Sequence, residues 1–307
     1  MGMRSLVWTV GLSLVSALGV ATETLAQNII ISDDTLGEDF SFVAPLSPTV
    51  DGIGGGAVRE QNLFHSFEVF DIGDGNGAYF IADSDAINNI FARVTGNEFS
   101  KILGVLGTSR FTNGFRVPTN ANLYLINPNG ILFGPNSALD IGGSLIVTTA
   151  DTIRFGADEF RASNPNLPSS VLTVDPSSYL FTQPLPADIV SFSASGNQFR
   201  GLRVPNGSNL TFLAGNVDIN GQGRLAGLHA FGGLVELAAA GGPGEVNIGP
   251  TGELIISETV PNGEVLLTDR AQIDVSLGSG GNINIMAGDI NVTNASFLNA
   301  GISEGLG

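Results

Sequence analysis

The chain has no cysteine, which excludes a disulfide framework, a thiolate nucleophile and any cysteine-ligated metal site. Basic residues are scarce, with 12 Lys and Arg against 29 Asp and Glu, and Lys101 is the sole lysine. The resulting net charge of −17 repels nucleic acid and anionic membrane surfaces, so neither is expected as a partner. Histidine occurs twice in 307 residues, which leaves few imidazoles to serve as general bases. What is present is glycine: 42 residues, about twice the usual share. With Val, Ile, Leu and Phe supplying much of a 43% hydrophobic content, the chain reads as many short strands joined by tight turns around a core, not as an acidic disordered tail.

A long apolar run occurs once. Arg4 precedes Leu6 to Val20, a stretch broken only by small or hydroxyl residues, and Thr24-Leu25-Ala26 supplies small residues for cleavage. Residues 1–26 are therefore read as a signal peptide. The run is shorter than the roughly 20 residues a spanning helix needs, so stable membrane insertion is not expected. Cleavage removes Trp8 and leaves 28 acidic and 11 basic residues, still −17.

From Gln27 onward the dominant period is two. Strands are expected at Leu123–Ile126, Ile131–Phe133, Ser144–Thr148, Leu210–Phe212, Leu234–Leu237, Leu254–Ile256, Val265–Leu267 and Ile283–Ile285, each ending near Gly, Asn or Pro. Between Asp85 and Val94 the apolar residues also fit one helical face, so a short helix or capping element is expected there. The Gly52 to Gly56 run reads as a turn. Internal similarity decides the architecture: Ser208 to Ile219 can be laid on Gly281 to Val292 at an offset of 73 without a gap, apolar on apolar. Related strands recur at 22 residues from Leu123 to Leu145 and 25 from Leu210 to Val235, then at 30 to Val265 and 18 to Ile283. Such a drifting period suits a β-solenoid of stacked coils, with an antiparallel sandwich as the alternative. Phe133, Leu145, Val147, Leu210, Phe212, Ile283 and Ile285 are expected to point inward.

One segment is sharper than composition. Asn127-Pro128-Asn129-Gly130 lies between two strand candidates, and its residues suit successive positions of a tight turn. Together with Gly55-Gly56, Asn62-Leu63-Phe64-His65-Ser66-Phe67, Asn89-Ile90-Phe91, Arg93-Val94-Thr95-Gly96, the continuation from Ile131 to Asn136 and Gly142 to Ala150, it is similar to the N-terminal secretion domain of filamentous haemagglutinin-type exoproteins of two-partner secretion systems. The resemblance covers roughly residues 30 to 160. It implies an all-β, right-handed parallel β-helix with short N-terminal capping elements, made in a Gram-negative cell. It further implies export via the periplasm through a cognate outer-membrane barrel whose POTRA modules recognise the domain, an extracellular or cell-surface destination, and an adhesive role for the helix. Asn62, Leu63, Phe64, Asn127, Pro128, Asn129, Gly130 and Ile131 become the candidate residues for export and transporter recognition. A host-cell or surface glycan receptor is a further expected partner. Proteobacterial members carry an Asn-Pro-Asn-Leu motif upstream of the turn, whereas here Asn164-Pro165-Asn166-Leu167 lies downstream and is read as coincidence. This arrangement looks more like the cyanobacterial branch. The domains are then 1–26 signal peptide, 27–160 secretion domain and 161–307 continuing coils, taken as truncated because the chain stops inside repeat-like sequence.

The competing class is an extracellular β-helix polysaccharide lyase or hydrolase, which would need clustered carboxylates over a groove. Asp71 to Gly77 resembles a calcium loop only faintly, because Ile72 and Ala78 interrupt the alternating oxygen ligands. His65 lies among Phe64, Phe67 and Phe70, where a structural imidazole is expected over a general base. The sequence carries no known nucleophile or nucleotide-binding signature. No catalytic, cofactor-binding or metal residues are assigned, and the chain is expected not to be an enzyme.

Overall fold

The computed structural model describes residues 27–112, 115–278 and 280–301; the expected signal peptide lies outside them. Among the described residues every regular element is a strand. Beyond an N-terminal cap in which Ile29–Ser32 and Ser41–Ser47 pair antiparallel with their neighbours, the chain winds through three faces in turn, each coil laying a short strand parallel to the one before. One such circuit runs Asn122–Ile126, Ile131–Phe133, Ala138–Asp140 and back to the first face at Leu145–Thr148. The result is a parallel β-helix, right-handed as crossovers between parallel strands are.

The first face is the longest. Its inward column pairs Leu63, Ile90, Leu123, Leu145, Leu210, Val235 and Ile283 in direct register. Leu123 to Leu145 and Leu210 to Val235 are thus neighbours, as the 22- and 25-residue spacings predict. The offset of 73 is two coils: Leu210, Val235 and Ile283 stack on the first face while Val217, Val265 and Ile290 stack on the second. Val265 therefore does not sit between Val235 and Ile283, and the 30- and 18-residue spacings join strands of different faces. The interior holds Phe133, Leu145, Val147, Leu210 and Phe212, all fully buried, while Ile283 and Ile285 pack half-buried against it in the last described coils.

Two coils are lengthened by excursions. Between Leu145 and Leu210 the chain leaves the helix to form Thr152–Phe155, Asp158–Arg161 and Ser178–Phe181, and between Val235 and Ile283 it adds Gly244–Ile248 and Leu254–Ile256. These make one antiparallel sheet lying on the outside of the first face. Leu254–Ile256 is a strand as expected but belongs to this sheet, not to a coil. The outward side of the first face is therefore buried too: Phe64, Phe91, Ile126, Leu213 and Ala238 pack against Ile153, Phe155, Phe160 and Tyr179. Continuous burial explains why Asn62–Phe67 and Asn89–Val94 lack a polar alternation.

Two local expectations are corrected. Asn89–Val94 is a fully buried strand, and only a turn at Asp85 and Ala86 precedes it, because pairing on both sides outweighs the helical spacing of Ile87, Ile90, Phe91 and Val94. Val50–Gly55 is a strand, not a turn. A Cβ on Gly54 would stand 2.6 Å from the Phe42 ring and one on Gly52 3.0 Å from Leu46, so the glycines let the neighbouring Ser41–Ser47 strand fold its apolar side chains across them.

Candidate functional site

The turn at Asn127 follows from its residues. Pro128 has no N–H to extend the ladder, so the Asn122–Ile126 strand stops before it. The fully buried Asn127 holds the corner with its amide, whose Nδ2 donates to the Glu98 carbonyl and the Ser100 hydroxyl, both at 3.0 Å, while Oδ1 accepts the Asn129 N–H at 2.9 Å. Gly130 closes the turn by donating its N–H to the Asn127 carbonyl at 3.1 Å. Its φ of 111° is one that side chains rarely adopt, and a Cβ there would meet the Asp188 carbonyl at 3.2 Å. Ile131 then enters the second face, buried between Ser100 and Ile189.

Asn62 opens a second constellation at the other end of the first face. Its Nδ2 donates to the Leu172 and Val174 carbonyls, both at 2.9 Å, and its Oδ1 accepts from Asn89, which in turn accepts from Asn122, both at 3.0 Å. Asn122 Oδ1 takes the Ser144 N–H, the Ser144 hydroxyl takes the Asn209 N–H, and Asn209 takes the Leu234 N–H. This ladder accounts for the Asn that precedes several strands of the first face, with Ser144 taking its place in one coil. Leu63 lies in the interior and Phe64 stacks outward on Phe91 with centroids 5.0 Å apart. Because Asn62 aligns with Asn122 in register, the two candidate groups sit about five residues apart along the face, roughly 16 Å. They are not brought together. Of the eight candidates, Pro128 is half-buried and Asn129 alone is exposed. The Asn129 amide is nonetheless held, donating to the Gly96 carbonyl at 2.7 Å and to Asn127 Oδ1 at 3.2 Å.

Beside this corner runs a groove of about 580 Å³, bounded by the Thr95 to Phe99 turn, Pro128, Asn129, Asn164 and Leu185. The second Asn-Pro-Asn segment thus borders the same groove through Asn164. Asn166 is tied in by a residue that sequence reasoning passed over. Arg93, fully buried, donates from Nε to Ser66 at 2.9 Å, from Nη1 to the Arg161 carbonyl at 2.9 Å, and from Nη2 to the Thr35 hydroxyl and the Asn166 carbonyl, both at 2.8 Å. Asp33 completes the set by accepting from Thr35, Ser66 and Thr95. Burial lowers the Arg93 pKa to about 10, partly opposed by the Asp33 charge. Burial alone would raise the Asp33 carboxyl, but its hydrogen bonds bring it below the usual range. A lone arginine inside the apolar run Ile90 to Val94 was the available signal.

The groups an enzyme would use are placed otherwise. His65 is fully buried in the interior, lowered to about 3 by burial, and shares a hydrogen bond between Nδ1 and the Ser41 hydroxyl at 2.9 Å. His229 donates from Nε2 to the Arg200 carbonyl at 2.9 Å and is also lowered by burial. In the Asp71 to Gly77 loop, Asp71 accepts the Lys101 N–H and Asp74 accepts the Asn136 amide.

A family profile described as the TPS secretion domain matches residues 29–285. Among solved structures, the crystal structure of the HMW1 secretion domain from Haemophilus influenzae is similar in fold, with a TM-score of 0.50 and 15% identity over 90% of this chain and 73% of that one. No curated protein matches the chain at a significant level.

Proposed function

Because the chain belongs to the TPS secretion domain family, a secretion module and not an enzyme, we propose that its Asn127 to Ile131 corner and the groove beside it are what the cognate outer-membrane transporter acts on. The chain is a two-partner secretion exoprotein, and proteins of this family leave the cell through the periplasm to the outer surface. POTRA modules of the transporter are the reader of the corner, residues 27–160 hold the export determinants, and the later described strands extend the helix and its excursions. The finished protein resides outside the cell or on its surface and meets a surface glycan there. The observation that carries the export reading is the exposure of Asn129 at the lip of the groove beside a half-buried Pro128, while Asn127 and Gly130 are buried.

Burial of Asn62, Leu63 and Phe64 supports a different part for them: they stabilise the folded coils that draw the chain outward, and no partner reads them directly. Gly130→Val should cost about 1 to 3 kcal/mol, since the positive φ is strained for a branched residue, and should reduce secretion together with folding. Asn129→Ser removes the Gly96 contact but leaves the turn's backbone. Secretion measured beside circular dichroism of the refolded protein separates the two roles. Loss of secretion for Asn129→Ser with an unchanged spectrum is the expected result. Normal secretion for every substitution at Asn127, Asn129 and Gly130 would overturn the reading.

A further inference from the structure

The outward side of the first face ends in a cleft that export leaves unused. One wall is the outward column that follows Phe64 and Phe91 in register: Tyr124, Ile146, Thr211 and Glu236, one from each successive coil. The antiparallel excursion forms the other wall, contributing Tyr179 and Ile248. The enclosed volume is about 380 Å³, within the range of pockets that hold small molecules.

Three groups in it have polar atoms without a partner. Tyr179 is 2% exposed, and its phenol makes no hydrogen bond within the described residues. Tyr124 is half-buried, and its phenol likewise makes no hydrogen bond within the described residues. Glu236, 1% exposed, accepts the Leu254 N–H at 3.0 Å and the Asn284 amide at 3.5 Å, both on Oε1, which leaves Oε2 without a partner. Burial raises all three groups, and Tyr179 feels the Glu236 charge directly. Polar groups that line a cleft are ordinarily paired, so each of these has a hydrogen bond left to make toward it. Because this protein's phenols stay protonated they donate, while Glu236 and the nearby Asp175 accept and repel an anion. Ile146, Ile248 and Pro250 add apolar surface between the polar groups.

Alternating donors, acceptors and apolar patches, with an acidic lining, match a ring that carries hydroxyls on its edge and C–H groups on its face. We propose that this cleft binds a neutral saccharide, with Tyr124, Tyr179 and Glu236 as the hydroxyl-reading residues; the proposal rests on the surface-glycan reading above and names where that contact is made. The full secreted protein should be titrated calorimetrically with maltotriose, cellotriose and mannotriose as neutral probes and trigalacturonate as the anionic one. At least one neutral trisaccharide should bind and trigalacturonate should not. Tyr124→Phe and Tyr179→Phe, which remove only a phenol oxygen, should each weaken binding about tenfold with unchanged circular dichroism and thermal midpoint. Binding that keeps its strength in both variants and in Glu236→Gln would place the sugar elsewhere, overturning the cleft but leaving the surface-glycan reading intact. Preference for trigalacturonate would overturn the ligand class, and no binding of any probe would overturn both readings.

Discussion

The two sides of the first face obey different rules. Inward, the column Leu63, Ile90, Leu123, Leu145, Leu210, Val235 and Ile283 is aliphatic at every level. Outward, the adjoining column runs Phe64, Phe91, Tyr124, Ile146, Thr211 and Glu236, changing from stacked aromatics to polar groups along the axis. The inner side faces the same kind of neighbour in each coil, so one residue class suits all of them. The outer side faces an excursion that is close over the first coils and parts into a cleft over later ones, so its chemistry follows its cover. Ionisable intruders lie under burial on both sides: His65 inward, Arg93 and Glu236 outward.

The largest expected effect breaks the outward side. Arg93→Met should destabilise the fold by about 3 to 5 kcal/mol, because it strands the part-buried Arg161 and Asn166 carbonyls and removes the fully buried cation that the Asp33 charge acts on. Urea denaturation at neutral pH measures it, and a cost below about 1 kcal/mol would show that the excursion is held by its apolar contacts alone. The inward intruder gives a pH signature. The folded His65 titrates at about 3 against 6.5 when unfolded, so the unfolded state binds the extra proton between those values. Stability should therefore be fully present above pH 6.5 and fall on acidification by roughly 1.4 kcal/mol per pH unit down to the folded value. The Asp33 carboxyl, lowered in the fold, adds a loss of the same sign only below its unfolded value of 3.8. Replacing His65 with glutamine should flatten the slope between pH 6.5 and 4, and a slope that persists unchanged would assign it to other groups. The smallest effect lies at the edge between the two sides. Asn122→Ala interrupts the amide ladder, leaving Asn89 Oδ1 and the Ser144 N–H without partners, and should cost about 1 to 3 kcal/mol. Thermal unfolding of Asn122→Ala beside Asn122→Asp would sharpen the comparison, since aspartate retains the acceptor for Ser144 but not the donor to Asn89.

Much of the helix was legible in the chain because stacking repeats a local problem. Each coil needs an apolar residue at the same place, and the Asn that precedes several of them satisfies its neighbour in the coil above, so Asn62, Asn89, Asn122 and Asn209 appear as a pattern before they appear as a ladder. The Asn127 to Gly130 turn was legible for the same reason: proline and glycine answer backbone needs set within four residues. What misled was spacing across excursions. Val265 carries the alternation of a first-face strand, and nothing local says that 48 residues separate Val235 from Ile283 with a detour between them. The place of the Asn164 to Leu167 segment was out of reach because Asn166 is held by Arg93, over 70 positions away in sequence.

By itself, then, the sequence determined the strand content, the inward residues of the coils, the sharp corner at Pro128 and the absence of any cysteine-based chemistry, because these follow from composition and from contacts between near neighbours in a repeating coil. Tertiary structure alone decided that both sides of the first face are buried, that Asn62 is a rung and not a surface, that Arg93 joins cap, coil and excursion, and that two tyrosines and a glutamate share one cleft. The physical reason is that the excursions fold back onto the helix by antiparallel pairing between segments as distant as Tyr179 and Val246, and contacts of that separation leave no periodic trace in the chain.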